Sequence, residues 1–342
     1  MATNLKRQKT WLSDWNNEAT FGPQSFLMLK FLVQRSEIGA GTRGSSLGPD
    51  AMRLASLNSD RQLFNRYSIE NIQDWNDALF SPTSTPHALR IEQISRTWEA
   101  QCEAVANSIK GDATPVVISG DHASAGGTIA GIKSAHPDQR LGVVWVDAHA
   151  DLHSPYTTPS GNVHGMPLAA TLGVDNTEKQ RNAPSEETRN FWDRMKELGG
   201  MTPKIQPEDL VFVGVRDTEE EEEHLLEAHS IRNHTVAEVN QHGMQHIADA
   251  VLSQLKDCDI LYISFDVDSM DPDVVSYGTG TPVPDGITPE QASELLSILL
   301  ADQRVVCFEM VEVNPLLDNK ANKMAETSLG ILEKAVETLE NR

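Results

Sequence analysis

The stretch WVDAHADLH, residues 145–153, follows directly on the apolar run LGVV and crowds Asp147, His149, Asp151 and His153 together. An aspartate at the end of a buried strand is costly unless something neutralises it. Two further stretches have the same character. YISFDVDSMDPD ends an apolar run with Asp266 and Asp268, and VVISGDHASAGG ends one with Gly120, Asp121 and His122. Residues two apart in an extended chain face the same way, so Asp147, His149 and Asp151 are expected on one face. Together with His122, Asp266 and Asp268 they would gather four carboxylates, which cannot all stay ionised unaided. Two divalent cations would resolve the conflict. Carboxylates with some imidazole and no thiolate suit Mn2+, ahead of Fe, Ni or Co; a structural Zn2+ site would draw on Cys and His. Such a pair, about 3.5–4 Å apart, uses a bridging water as its nucleophile. A single DxHxD could equally be turn and capping chemistry. Its recurrence in kind at three strand ends is what argues for metal.

Two more segments carry polar groups of the right type. TTPSGNVHGMP offers Ser160, Asn162 and His164 in a glycine-containing loop. His164, thirteen residues beyond Asp151, could be an internally satisfied histidine; an acid/base role is the reading its position favours. MVEVNP places Glu312 at the end of the last apolar run. A carboxylate there could pair with a guanidinium in bidentate fashion, or form a salt bridge to a neighbouring Arg or Lys.

These groups need elements to position them. Apolar runs predict strands at 26–34, 67–74, 115–119, 141–147, 209–215, 232–237, 259–266 and 304–311. Amphipathic spacing predicts helices at 88–109, 289–300 and 322–340, the second with Thr288 as N-cap and Pro289 in its first turn. The alternation, with strands apolar on both faces, is that of one doubly wound α/β domain. Its ligand edge is the carboxyl end of the strands, where the three motifs sit. Residues 1–25 read as an N-terminal extension and 26–342 as the domain. The short acidic run Glu219–Glu223 reads as a solvated helix start.

Composition narrows the function. The 342-residue chain carries 28 Lys and Arg against 50 Asp and Glu, a formal net charge of −22. That argues against nucleic acid or an anionic membrane as partner and is compatible with a small cationic ligand, or with solubility alone. Cys102, Cys258 and Cys307 are too scattered for a zinc or disulfide framework. With no signal-like segment and no long apolar run, the chain is expected in the cytoplasm.

The blocks SGDHASAGG, WVDAHADLHSPYTTPSGNVHGMP, SFDVDSMDPDVVSYGTGTP and EMVEVNP, in this order, resemble the ureohydrolases, the arginase and agmatinase group; GAGTRGSSLGPDAMR (39–53) resembles that family's early glycine-rich loop. The resemblance runs from about residue 37 to the C-terminus. It implies a three-layer domain around an eight-stranded, mainly parallel sheet, the fold shared with the deacetylases. It also implies two Mn2+ per subunit. His122, Asp147, Asp151 and Asp266 would hold one, and His149, Asp147, Asp266 and Asp268 the other. Asp151 would pass a proton to the leaving amine, His164 would shuttle protons, Glu312 would hold the guanidinium, and Thr281 lies where the family contacts substrate. Products would be urea and an amine, and the assembly a homo-oligomer, trimer or hexamer.

The SGNVHG loop is most like arginase, whose substrate is L-arginine. Ser160 matches the family's carboxylate-binding Ser, with Asn162 in the same loop. His153 stands where arginases have a carboxylate-binding Asn. Glu219 replaces the Asp that reads the α-amino group, and Glu222 matches the acid one turn on. The inner SGDH replaces the usual GGDH. Agmatine, 4-guanidinobutyrate or another guanidino acid is the alternative substrate. A zinc amidohydrolase of deacetylase type would not need all six ligands, and a non-catalytic subunit would be expected to have lost one.

Overall fold

The computed structural model describes residues 28–59 and 62–342. The N-terminal extension, and residues 26–27 of the first expected strand, lie outside them. Eight strands form: β1 (Met28–Gln34), β2 (Ser68–Ile72), β3 (Ala113–Ser119), β4 (Leu141–Val146), β5 (Leu210–Val213), β6 (Arg232–His234), β7 (Ile260–Asp266) and β8 (Val305–Val311). They make one sheet in the order β2-β1-β3-β8-β7-β4-β5-β6. Every neighbouring pair is parallel, so the expected mainly parallel sheet is parallel throughout.

Period-two alternation divides the strand side chains between two cores. Val116, Ile118, Val144, Val146, Ile263, Phe265, Phe308 and Met310 point to one side. Val117, Val143, Trp145, Tyr262 and Cys307 point to the other. Both faces are therefore apolar and both must be covered. Helices Gly48–Ser56, Met244–Gln254, Pro289–Leu300 and Lys323–Glu340 cover the first through Met52, Ile247, Leu295 and Leu332. Helices Ile91–Lys110 and Ala125–Ala135 cover the second through Val105, Ile129 and Ile132.

The last two pack unusually closely because one presents Gly126, Gly127 and Gly131. A Cβ on Gly126 would lie 2.0 Å from a ring carbon of Trp98, and one on Gly131 would lie 2.7 Å from the Cys102 carbonyl oxygen. This contact anchors the segment that carries His122.

The expected helix at 289–300 has those limits, and Thr288 caps it: its Oγ1 accepts the Gln291 N–H at 3.2 Å while Gln291 Oε1 accepts the Thr288 N–H at 2.8 Å. The strand expected at 232–237 stops at His234. Thr235 and Glu238 form a capping box there and start a helix at Val236, which ends the strand.

Candidate metal centre and active site

β3, β8, β7 and β4 are consecutive across the middle of the sheet, so their carboxyl ends meet. Each delivers part of one site. His122 follows β3, Glu312 follows β8, Asp266 ends β7 with Asp268 just beyond, and Asp147, His149 and Asp151 follow β4. All six expected ligands come together.

Backbone donors aim the carboxylates. Asp147 Oδ1 accepts the His149 N–H at 2.7 Å, Asp266 Oδ1 the Asp268 N–H at 2.8 Å, and Asp268 Oδ1 the Ala148 N–H at 3.2 Å. The second oxygens turn inward. Around His122 Nδ1 lie Asp147 Oδ2 at 2.9 Å, Asp266 Oδ2 at 3.1 Å and Asp151 Oδ2 at 3.3 Å. His149 Nδ1 lies 3.1 Å from Asp268 Oδ2 and 3.5 Å from Asp147 Oδ1. Asp147 is common to both groups. Despite these approaches, buried His122 Nδ1 and Asp147 Oδ2 have no hydrogen-bond partner. Lone pairs that converge without a shared hydrogen are what a cation site requires. The donor set therefore fits two divalent ions.

The protonation equilibria carry the same strain. Burial, and then the Asp147 charge, push Asp151 well above the usual carboxylate range. Burial and the Asp268 charge do the same to Asp266. Burial opposes the imidazolium of His122, yet Asp147 and Asp266 hold its pKa well up; His149 is held up against burial by Asp268 and Asp147. With no cation, protons must take its place.

Strand alternation does not extend as far as Asp151. β4 ends at Val146, and Asp151 is brought in by a left-handed turn, with φ 52°, instead of by continued extension. Glu312 also has a positive φ, 69°. Strained non-glycine residues of this kind persist where the surroundings over-determine them.

A supporting layer was not singled out from sequence. His122 stacks on Trp145, with ring centroids 4.0 Å apart, and its Nε2 lies 2.8 Å from Ser264 Oγ. That contact leaves Nδ1 for the metal. Glu309, fully buried in β8, accepts hydrogen bonds from Ser119, Ser124 and Tyr262 at 2.7–2.9 Å. Ser119 is the residue that makes SGDH depart from the usual pattern. Arg216, just after β5, donates to the carbonyls of Asp268 and Val283 at 2.9 and 2.6 Å and ties the β5 loop to the long loop after β7. Asp121 accepts the Gly39 N–H at 2.7 Å and fastens the glycine-rich loop to β3; burial and the Glu312 charge raise its pKa to about 7. The signal for Glu309 was a lone acid inside the apolar run VVCFEMV, hidden by the more obvious Glu312.

A cavity of about 290 Å3 opens over the centre, room for a small molecule. Glu312 Oε1 accepts the His122 N–H at 3.0 Å and lies 3.2 Å from His164 Nδ1; Oε2 is buried without a partner. No Arg or Lys reaches Glu312 among the described residues. Thr281 donates to Asp268 Oδ2 at 3.0 Å, so it steadies a ligand. Ser160 and Asn162 also line the cavity, with Ser160 Oγ accepting the Asn162 N–H at 3.1 Å. His153 and Glu219 form a second wall, with His153 Nε2 3.0 Å from Glu219 Oε2. Glu219 caps the helix Glu220–Ala228, as expected of the acidic run, but Glu222 is buried in place of being solvated.

Comparison with known proteins places this geometry. The family model described as the Arginase family matches residues 32–336. An arginase from Bacillus caldovelox is 33% identical over 300 residues, 86% of this chain and 93% of that protein. The crystal structure of Bacillus subtilis arginase superposes with a TM-score of 0.74 at 32% identity, over 90% of this chain and 98% of that one. The Entamoeba histolytica arginase solved in complex with L-ornithine gives a TM-score of 0.76 at 26% identity, over 92% and 98%. The match spans the sheet and all four strand ends that build the centre, and on that ground the chain belongs to the arginase family.

Proposed function

We propose that this chain hydrolyses L-arginine to L-ornithine and urea on two Mn2+ ions. The observation that carries the reading is the pair of unpartnered buried atoms, His122 Nδ1 and Asp147 Oδ2, facing a space shared with Asp151 and Asp266. A donor set of carboxylates and imidazoles without thiolate favours Mn2+ over Zn2+. When bound, the ions supply a water acidic enough to act as a nucleophile near neutral pH.

The chain's own residues divide the remaining work. Glu312 Oε2, buried and unpartnered, accepts the guanidinium N–H groups. Asp151 takes the proton given up by the attacking water and hands it to the departing amine. His164, whose side chain is 17% exposed, carries protons between the site and solvent. Ser160 and Asn162 face the carboxylate end of the substrate, and Glu219 the ammonium end. Glu222 has both oxygens occupied and acts as a support. The E. histolytica relative's L-ornithine complex agrees with an amino-acid substrate. We place the protein in the cytoplasm, as a homo-oligomer of three or six chains. The first of these rests on the sequence, where no described helix is long and apolar enough to cross a membrane; the second rests on the resemblance.

The test is urea release by the Mn2+-loaded protein from L-arginine, agmatine and 4-guanidinobutyrate in parallel. Arginine is expected to be the best substrate. Urea from one of the others in its place would keep the centre and move the substrate assignment. No urea from any, with two ions bound, would refute the assignment.

A further inference from the structure

The cavity wall formed by His153, Glu219 and Glu222 resembles the metal centre in composition: two carboxylates and an imidazole with their polar atoms within 4.8 Å of one another. Its hydrogen bonding is the opposite. Glu222 Oε1 accepts the Leu152 N–H at 3.1 Å, and Oε2 the Glu219 N–H at 3.2 Å. His153 Nδ1 is 3.1 Å from Thr157 Oγ1, which itself accepts the Ser154 N–H at 2.9 Å. Whether Nδ1 accepts from Thr157 or, when protonated, donates to it, Nε2–H faces Glu219 Oε2 at 3.0 Å. The convergent unpartnered atoms of the inner centre have no counterpart here. This is a fixed recognition wall and not a third ion site.

Burial within the wall is graded. The His153 side chain is 8% exposed and that of Glu222 4%, whereas that of Glu219 is 51% exposed and lines the cavity. Glu219 is thus the group a ligand meets, and His153 is the group that holds it. A free glutamate has three side-chain torsions to order before it can accept a hydrogen bond in a set direction. The buried imidazole removes much of that freedom in advance. The same cavity is lined by Ser160 and Asn162, which carry a hydroxyl and an amide. A chain fixed at its guanidinium end would have an acid and a set of hydroxyl and amide donors for its far end, a match for an ammonium and a carboxylate on one carbon.

We propose that His153 is a positioning residue: it sets the Glu219 carboxylate to accept the α-ammonium group, and the pair selects guanidino substrates that carry that group over those that lack it. The inference rests on the reading of L-arginine as substrate.

The experiment compares L-arginine with 5-guanidinopentanoate, the same molecule without the α-amino group. Urea release gives kcat and KM for each on the full-length Mn2+-loaded chain. The variants are Glu219→Gln, His153→Asn, His153→Gln and the double variant Glu219→Gln/His153→Asn, with metal content and Tm recorded for each. The arginine preference, the ratio of the two kcat/KM values, is expected to fall about tenfold in Glu219→Gln and through KM. His153→Asn, too short to reach Glu219, should lose much of the preference; the longer amide of His153→Gln should restore part of it. The double variant should be no worse than Glu219→Gln alone, because His153 acts through Glu219. Equal losses on both substrates in His153→Asn, with no rescue by His153→Gln, would overturn the proposal, as would multiplicative losses in the double variant. If the unaltered chain makes no urea from L-arginine, the substrate reading itself falls. If it does and the preference survives all the variants, the roles of both His153 and Glu219 fall while the substrate reading stands.

Discussion

Asp266 shares the His122 side of the centre with Asp147, and its other oxygen holds the Asp268 backbone. Asp266→Asn keeps that shape and removes a charge. We expect metal content to fall below two ions per chain and kcat to drop by about two orders of magnitude or more. Full occupancy in the variant, measured by elemental analysis, would contradict the ligand set. His164→Asn should separate from it: kcat falls about 10²–10⁴-fold while both ions stay bound, the signature of lost proton transfer. Unchanged turnover would make His164 structural. The pH dependence follows from the raised pKa values of His122, His149, Asp151 and Asp266. Their protons must leave before an ion enters, so metal affinity weakens as pH falls, by about tenfold per pH unit for each proton displaced. Calorimetry in buffers of different ionisation enthalpy measures that release; metal binding that frees no protons would contradict it. The six residues that gather at the strand ends were legible in the sequence because charge at the end of an apolar run has so few innocent explanations. Glu222 was legible only as an acid. Its burial depends on Leu152, seventy residues earlier, whose N–H it accepts, and nothing local reports that contact. His153 and Glu219, the two departures in the substrate pocket, touch each other, which no reading of either position alone could show.

Elements position these groups through close packing. The helix Ala125–Ala135 can approach Ile91–Lys110 because Gly126 leaves room for the Trp98 ring. In an exposed helix Gly→Ala stabilises by about 1 kcal/mol. At Gly126 the sign should reverse, because the new methyl overlaps Trp98, and overpacking costs about 1–3 kcal/mol. Denaturant unfolding of Gly126→Ala measures this; a stabilised variant would show that the contact gives way freely. The positions of all eight strands were legible from apolar runs. Their order was not, since β3 and β8 are neighbours across almost two hundred residues and share no local signal. Strand ends were read least well where a side chain decides the matter, as Thr235 does in stopping β6.

At the scale of the molecule, ions held by these residues would join elements distant in sequence, so metal and stability would be linked. Chelation should lower Tm, and Mn2+ at a hundred times its Kd should stabilise the fold by about 2.7 kcal/mol per site. Scanning calorimetry with and without chelator checks this; an unchanged Tm would mean that the centre contributes nothing to the fold. The strand order has one more consequence. β8 is the last strand made, yet it lies between β3 and β7 and is the only link between β2-β1-β3 and β7-β4-β5-β6. Of the expected ligands His122 lies on the β3 side and the other five lie at the ends of β7 and β4, so the set around His122 closes only when β8 joins the two sides. Translation up to Val305 therefore supplies every expected ligand but not the strand that seats His122 beside the rest, and the last stretch of chain completes the centre.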